Sequence, residues 1–146
     1  MQQTWILYPL FVMVVLSIAV GLRMLQLRFR AVAQDGLVPA YFQLNRGGKP
    51  PDYMLQAEQH FTNLYETPVL FYTVVILIYV LNMTSLATLL LAWAYVASRL
   101  LHAYVHMGQN RLVNRRRVFL SSIVLLTLLW SDVLMNLLGQ TTGPNL

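Results

Sequence analysis

The sequence predicts an all-α fold, a polytopic membrane protein whose four transmembrane helices form one bundle. Of its 146 residues, 58% are hydrophobic and only 10% are charged, and the mean hydropathy is +0.57. A water-soluble domain normally carries about 25% charged residues. The apolar residues form long runs, and the basic residues gather between these runs. The length suits a single domain over residues 1–146.

The first helix is predicted over about residues 4–27. Residues 5–22 contain no charge, and at about 1.5 Å per residue they can cross the roughly 30 Å hydrocarbon core of a bilayer. Arg23, Arg28 and Arg30 follow this run, which lacks a basic leader and a small-residue cleavage site. This pattern is typical of a retained membrane helix and differs from that of a signal peptide.

The second and third helices are predicted over about residues 54–81 and 85–107. Residues 67–98 contain no charge, and as one helix they would be roughly 48 Å long, well beyond the bilayer core. The polar cluster at residues 82–85 divides the run and predicts a tight helical hairpin. Each half is only about 15 residues long, so each helix must draw polar residues into the membrane at the end away from the turn.

The fourth helix is predicted over about residues 116–138, an apolar run that contains one acid, Asp132. Between the first two helices, residues 31–53 are predicted to form a loop, because Gly47-Gly48 and Pro50-Pro51 are turn signals.

The basic residues predict the orientation of the chain. Five lie in or beside the first connection and five in or beside the third: Arg23, Arg28, Arg30, Arg46 and Lys49, and then Arg99, Arg111, Arg115, Arg116 and Arg117. Four spans place both connections on one side, and basic loops are typically cytoplasmic. We therefore expect a multi-pass protein surrounded by membrane lipid, with both termini on the non-cytoplasmic side. The short loops suggest a bacterial inner membrane, and the lack of a large solvated basic face argues against nucleic acid as a partner.

Glu66 and Arg99 are predicted to lie at matching depths within the membrane, each roughly 22 Å from the hairpin turn. Charged groups at that depth almost always face the bundle interior, so the two are natural partners. Two interpretations remain open. The pair could hold two short helices together, or it could belong to a functional site.

Helical spacing favours a site, because polar residues recur on one face of each of three helices. The predicted pocket residues are Gln59, Asn63 and Glu66 on the second helix, Tyr95, Arg99, His102 and His106 on the third, and Arg115 and Arg116 with Phe119 and Ser122 on the fourth, with His60 at the margin. Arg116 and Arg117 could instead anchor lipid headgroups. No metal site is predicted, because the chain has no cysteine and the pair His102 and His106 has no clear third ligand at metal spacing.

Three segments, AEQHFTNLYETPVLFY, ASRLLHAYVHMGQNR and RRRVFL, together resemble the MAPEG family, the membrane-associated proteins in eicosanoid and glutathione metabolism. The resemblance covers residues 46–129. It implies a homotrimer that binds glutathione at subunit interfaces, beside a lipophilic small-molecule substrate. Asn63 and Glu66 would hold the glutathione backbone, Arg99 and His102 would line the pocket, and Arg115 would stabilise the thiolate.

This sequence also departs from the family pattern. Family enzymes usually carry arginines shortly before the Asn63 position, where Gln59 and Thr62 stand here. Two family tyrosines fall at His106 and Phe119. Three functional hypotheses therefore stand: a glutathione-dependent transferase or peroxidase, a non-catalytic relative that binds lipid or assists assembly, and a small transporter.

Overall fold

The computed structural model describes the backbone of residues 2–108 and 111–142 and the side chains of these residues except 140–142. A 3-10 turn, Gln3–Ile6, leads into α1, Leu7–Gln34, which is followed by the short α2, Tyr41–Leu44. The remaining helices are α3, Asp52–Val80, α4, Leu86–Met107, and α5, Leu112–Thr142. Within the described ranges the chain forms helices and turns and no β-strand. The predicted all-α class is confirmed.

Four of the described helical segments are long and apolar enough to cross a membrane: Gln3–Gln34, Asp52–Val80, Leu86–Met107 and Leu112–Gly139. Many large apolar side chains point outward, among them Phe11, Val15 and Ile18 on α1, each at least 58% exposed. Such exposure would be costly in water but suits contact with lipid tails. The protein is an integral, multi-pass membrane protein, as predicted.

The hairpin between α3 and α4 is built as the polar cluster predicts. Asn82 adopts a left-handed backbone conformation (φ 57°), which asparagine tolerates better than most residues. Ser85 then caps α4 reciprocally: its hydroxyl accepts from the Thr88 N–H at 3.1 Å, and its own N–H donates to the Thr88 hydroxyl at 2.9 Å. The charge-free run is therefore two helices joined by a short turn.

The N-terminal segment closes this end of the bundle, which we call the turn end. The Gln3 side-chain amide donates to the carbonyls of Ile78 and Tyr79, at 2.9 and 2.8 Å. The last carbonyls of a helix have no partner within the helix, so this contact satisfies two of them. The N-terminus and the hairpin turn lie together, as four spans require.

The opposite end, which we call the basic end, carries the loop 35–51 and the beginning of α5. Along the bundle α1 packs on α3 and α4 packs on α5. At the basic end the Gln56 amide on α3 donates to the His106 carbonyl in the last turn of α4. Arg28 on α1 also pairs with Glu58 on α3 at 2.8 Å. The main apolar core runs from the turn end to Leu64, and polar side chains replace it toward the basic end.

Two of the long helices, α1 and α5, extend further than the sequence patterns indicate. α1 continues seven residues beyond the predicted limit, to Gln34, and α5 begins four residues early, at Leu112. The additional helical residues include arginines. An arginine indicates the edge of the membrane, but it is compatible with a helix and does not end one. The predicted loop also contains α2, whose Tyr41 packs with Ala31, Leu37 and Met54 in a small second core.

Candidate functional site

Near the basic end, polar side chains fill the interior of the bundle. The fully or almost fully buried ones include Tyr95, Arg99, His102 and His106 on α4, His60 on α3 and Ser122 on α5. Tyr95 marks the boundary with the apolar core, because its ring stacks on Phe71 at a centroid distance of 4.4 Å. Its hydroxyl makes no hydrogen bond of normal geometry, and the Thr67 side chain acts on it as a weak partner. Buried polar groups are normally paired, so a cluster that leaves several of them unpaired is a candidate functional site.

Arg99 lies at the centre of this cluster and is completely buried. One terminal nitrogen, Nη2, donates to the backbone carbonyl of Asn63 at 3.2 Å, while Nε and Nη1 have no acceptor. The guanidinium carbon also lies 5.9 Å from the centre of the Phe119 ring, within cation–π range. The helix phase predicted from the sequence is therefore correct for Arg99, since its side chain faces inward.

Glu66 does not lie in this interior cluster, which differs from the sequence-based expectation. Its side chain is exposed on α3, and in the described part of the chain no ion pair joins it to Arg99. Residue counts predicted that Glu66 and Arg99 lie at the same depth in the membrane. A contact also requires that the two side chains face each other, which residue counts do not determine. Within one chain, the partner of Arg99 on α3 is a backbone carbonyl.

The three histidines meet beside Arg99. The His60 ring centre lies 5.7 Å from that of His102 and 4.9 Å from that of His106, and the last two are 5.5 Å apart. His60 is completely buried and is not at the margin of the cluster. The sequence feature that could have predicted this burial is the position of His60 one turn after Gln56, whose side chain binds the last turn of α4.

Two adjoining cavities open at this end of the bundle. The first has a volume of about 320 Å³ and is lined by Asn63, His102, Leu112, Arg115, Arg116 and Phe119. The second, of about 330 Å³, is lined by Gln59, Thr62, Asn63 and Arg115. Asn63 and Arg115 line both, so the two cavities lie next to each other between α3 and α5, and we call them together the groove. Ligand pockets typically have volumes of about 300–1,000 Å³, so each cavity can hold part of a small molecule.

The model of the MAPEG family matches residues 6–135 of the chain. The chain belongs to the MAPEG family. This match covers four described helical spans from the first turn of α1 to most of α5. It confirms the resemblance that the Asn63, Arg99 and Arg115 segments predicted. No curated protein and no solved structure matches the chain significantly.

The structure places the predicted site residues in two groups, apart from Glu66, which is exposed on α3. Asn63, His102, Arg115 and Arg116 line the first cavity, and Gln59 lines the second. Tyr95, Arg99 and His106 lie in the buried cluster behind the cavity wall. His102 belongs to both groups, because it is almost fully buried and also lines the first cavity.

Two residues of the groove were absent from the predicted pocket. Leu112 was missed because α5 was predicted to begin at residue 116, and Thr62 because it stands one position before Asn63 and off the predicted polar face. Leu112 adds an apolar wall beside the arginines. The signal for it was the apolar pair Leu112-Val113 before the three arginines, which extends the helical pattern backward.

Proposed function

We propose that this MAPEG protein is a glutathione-dependent membrane enzyme. It conjugates glutathione to a lipophilic electrophile, or uses it to reduce a lipid hydroperoxide, within a homotrimer. The single observation that supports this most directly is the groove between α3 and α5, in which Arg115, Arg116 and the Asn63 side chain line one cavity.

The residues of the groove fit the chemistry of glutathione. This tripeptide carries two carboxylates, for which guanidinium groups are the preferred partners because they donate paired hydrogen bonds. Arg115 and Arg116 provide two guanidinium groups on one wall, and Asn63 and Gln59 provide amides that can pair with peptide groups. Gln59 and Thr62 thus replace cationic contacts with neutral ones, which makes Arg116 the second cation of the site.

Arg115 is the residue proposed to act on the sulfur. Bound glutathione would supply a thiol, whose pKa resembles that of free cysteine, about 8.5, so that it is largely protonated at neutral pH. A guanidinium beside the sulfur in a water-poor groove stabilises the negative thiolate. A tenfold gain in thiolate requires about 1.4 kcal/mol, which one well-placed cation can supply.

The second substrate is proposed to enter from the lipid. Leu112 lines the first cavity and is 69% exposed, and Leu120 on the same helix is 53% exposed. An apolar surface therefore continues from the arginine-lined cavity to the outer face of the bundle. This arrangement favours a substrate that partitions into the bilayer and reaches the groove sideways.

Glu66 gives a reason to place the site between subunits. It is an exposed carboxylate on α3, within one turn of Asn63, and charged residues within membrane spans usually face other protein groups or a polar cavity. In a trimer its carboxylate would face a neighbouring copy or the amino group of bound glutathione. We propose the second role, which is compatible with the part in holding the glutathione backbone that the family resemblance implies.

The test is glutathione binding to the detergent-solubilised protein, followed by the ultraviolet absorbance of the bound thiolate. We expect saturable binding to the wild type and about a tenfold smaller thiolate fraction in Arg115→Gln. Arg46→Gln is the matched control, because Arg46 is exposed in the loop 35–51 and lines neither cavity. Absence of saturable binding to the wild type would refute the proposal.

A non-catalytic role is the second candidate, and the neutral Gln59 and Thr62 favour it. The site could bind glutathione or a lipid without promoting a reaction at the sulfur. Turnover assays with a lipophilic aryl halide and a fatty-acid hydroperoxide separate the two candidates. Saturable glutathione binding with neither a thiolate signal nor turnover would favour the non-catalytic role.

A further inference from the structure

All three histidines of the 146-residue chain lie in one buried cluster. His60 comes from α3, and His102 and His106 come from successive turns of α4. Each is at most 1% exposed. One ring nitrogen from each residue lies within 4.8 Å of those from the other two. We refer to these three residues as the histidine triad.

The ring nitrogens of the triad are poorly satisfied. None of the six, Nδ1 and Nε2 of each ring, makes a hydrogen bond of normal geometry, and only backbone groups act on His102 and His106 as weak partners. An imidazole always offers at least one donor, and in its neutral form also one acceptor, so burial without partners is unfavourable. A ligand that accepts electron pairs from three nitrogens at once would remove much of this cost.

We infer that the histidine triad is a binding site for a divalent first-row transition metal ion, with zinc as the ion that it fits best. Neutral imidazole is a preferred ligand of zinc, copper, iron and nickel, whereas calcium and magnesium require oxygen ligands. Three histidines with a fourth position left open are an established zinc arrangement. Zinc also imposes little geometric preference of its own, which suits three rings held by two helices.

The spacing requires only a small adjustment. At zinc–nitrogen distances of about 2.0–2.1 Å, a tetrahedral ion places its nitrogen ligands roughly 3.3 Å apart. The triad nitrogens lie within 4.8 Å of one another, so each must move inward by less than about 1 Å. A displacement of this size is within the reach of changes in side-chain torsion angles.

The charges around the triad define the fourth ligand. Arg99 and Arg115 both act electrostatically on the rings, and Arg99 is fully buried. A dication beside two guanidinium groups is unfavourable unless an anion accompanies it. We therefore assign the fourth position to an anionic ligand, either hydroxide or a thiolate. Such a ligand can arrive from the groove, because His102 lines the first cavity.

This inference does not rest on glutathione binding, and its test uses the metal alone. The protein is purified with a histidine-free affinity tag, stripped with a chelator and titrated with Co²⁺, whose visible absorption reports tetrahedral nitrogen coordination. Zinc is then added in competition. We expect one Co²⁺ per chain, displacement by Zn²⁺, and a higher unfolding temperature in the presence of Zn²⁺.

His60→Gln provides the decisive comparison, because it keeps a polar side chain and lies outside the proposed glutathione residues. We expect it to weaken Co²⁺ binding by more than the roughly 100-fold that loss of an outer-shell partner costs. Tyr72→Phe is the matched control on α3, since it removes only a hydroxyl that pairs with Ser17, and it should bind like the wild type.

The unfolding temperature shows whether a variant is folded. His60→Gln should unfold cooperatively without metal, and Zn²⁺ should not raise its unfolding temperature. If that variant is unfolded, His106→Gln is measured in its place. The inference is overturned if the wild type binds no Co²⁺ after chelation, or if a folded triad variant binds Co²⁺ as tightly as the wild type.

Discussion

The completely buried Arg99 is the residue that distinguishes this bundle from a simple apolar one. Its side chain enters the interior from α4, but only one of its nitrogens finds an acceptor, the carbonyl of Asn63. A buried charge is stabilised only when its hydrogen bonds are made and an opposite charge is near. Residues in the groove must therefore be tested together with Arg99, because they share its electrostatic surroundings.

A double-mutant cycle tests how Arg99 is held in the chain. We expect Glu66→Leu to recover less than about 1 kcal/mol of the Arg99→Leu loss, because Glu66 acts on Arg99 only through space and forms no ion pair with it. The measurement is unfolding of the solubilised protein in increasing denaturing detergent. Recovery of more than about 1 kcal/mol of the Arg99→Leu loss by Glu66→Leu would instead indicate a direct ion pair.

At the residue level, the sequence could identify polar positions but not their directions. Spacing correctly placed Arg99, His102 and His106 inside the bundle, since these positions share one face of a single helix. It could not place His60 against them or turn Glu66 outward, because the relative rotation of two packed helices is not encoded in the spacing of either one. Contacts between helices therefore had to come from the structure.

At the scale of an element, α4 has the best-defined beginning. The reciprocal hydrogen bonds of Ser85 and Thr88 satisfy backbone donors that would otherwise lack partners at this end of the helix. The polar cluster at residues 82–85 indicates this beginning in the sequence. For that reason the end of α3 and the beginning of α4 were each predicted within one residue. Arginines lie in the last two turns of α1 and near the beginning of α5 instead, and because they are compatible with a helix, these two limits were predicted poorly.

Loss of the Ser85 cap should destabilise the hairpin. We expect Ser85→Ala to lower the free energy of unfolding by about 1 kcal/mol, the usual cost of removing such a cap. Ser121→Ala is the control, because Ser121 is exposed and its hydroxyl donates only to a carbonyl of its own helix, and it should change stability by less than about 0.5 kcal/mol. An equal effect of both changes would argue against the cap.

At the scale of the molecule, four spans followed directly from the apolar runs and the placement of basic residues. Every segment that crosses the lipid must be long enough to span it and must pair its own backbone hydrogen-bonding groups. Few arrangements of this sequence meet both requirements. The groove was harder to predict because it depends on where α5 begins relative to α3. The assembly of copies is harder still, since lipid-facing and partner-facing surfaces are equally apolar.

The proposed trimer makes a direct prediction for the whole molecule. Three copies of the 16.7 kDa chain give a mass of about 50 kDa, and native mass spectrometry of the detergent-solubilised protein should detect this species. Addition of glutathione should increase the trimer fraction, because a ligand bound between subunits favours association. A single-copy species at all protein concentrations, with or without glutathione, would remove the basis for an interface site.

The contact of Gln3 with the end of α3 has a consequence for how the protein is made. The N-terminal segment leaves the ribosome well before Ile78 and Tyr79 are synthesised. Because α1 and α3 cross the membrane in opposite directions, the end of α3 returns to the side on which Gln3 lies. The final carbonyls of α3 therefore meet a donor as soon as they emerge. The first two crossings can be locked together before α4 and α5 are inserted.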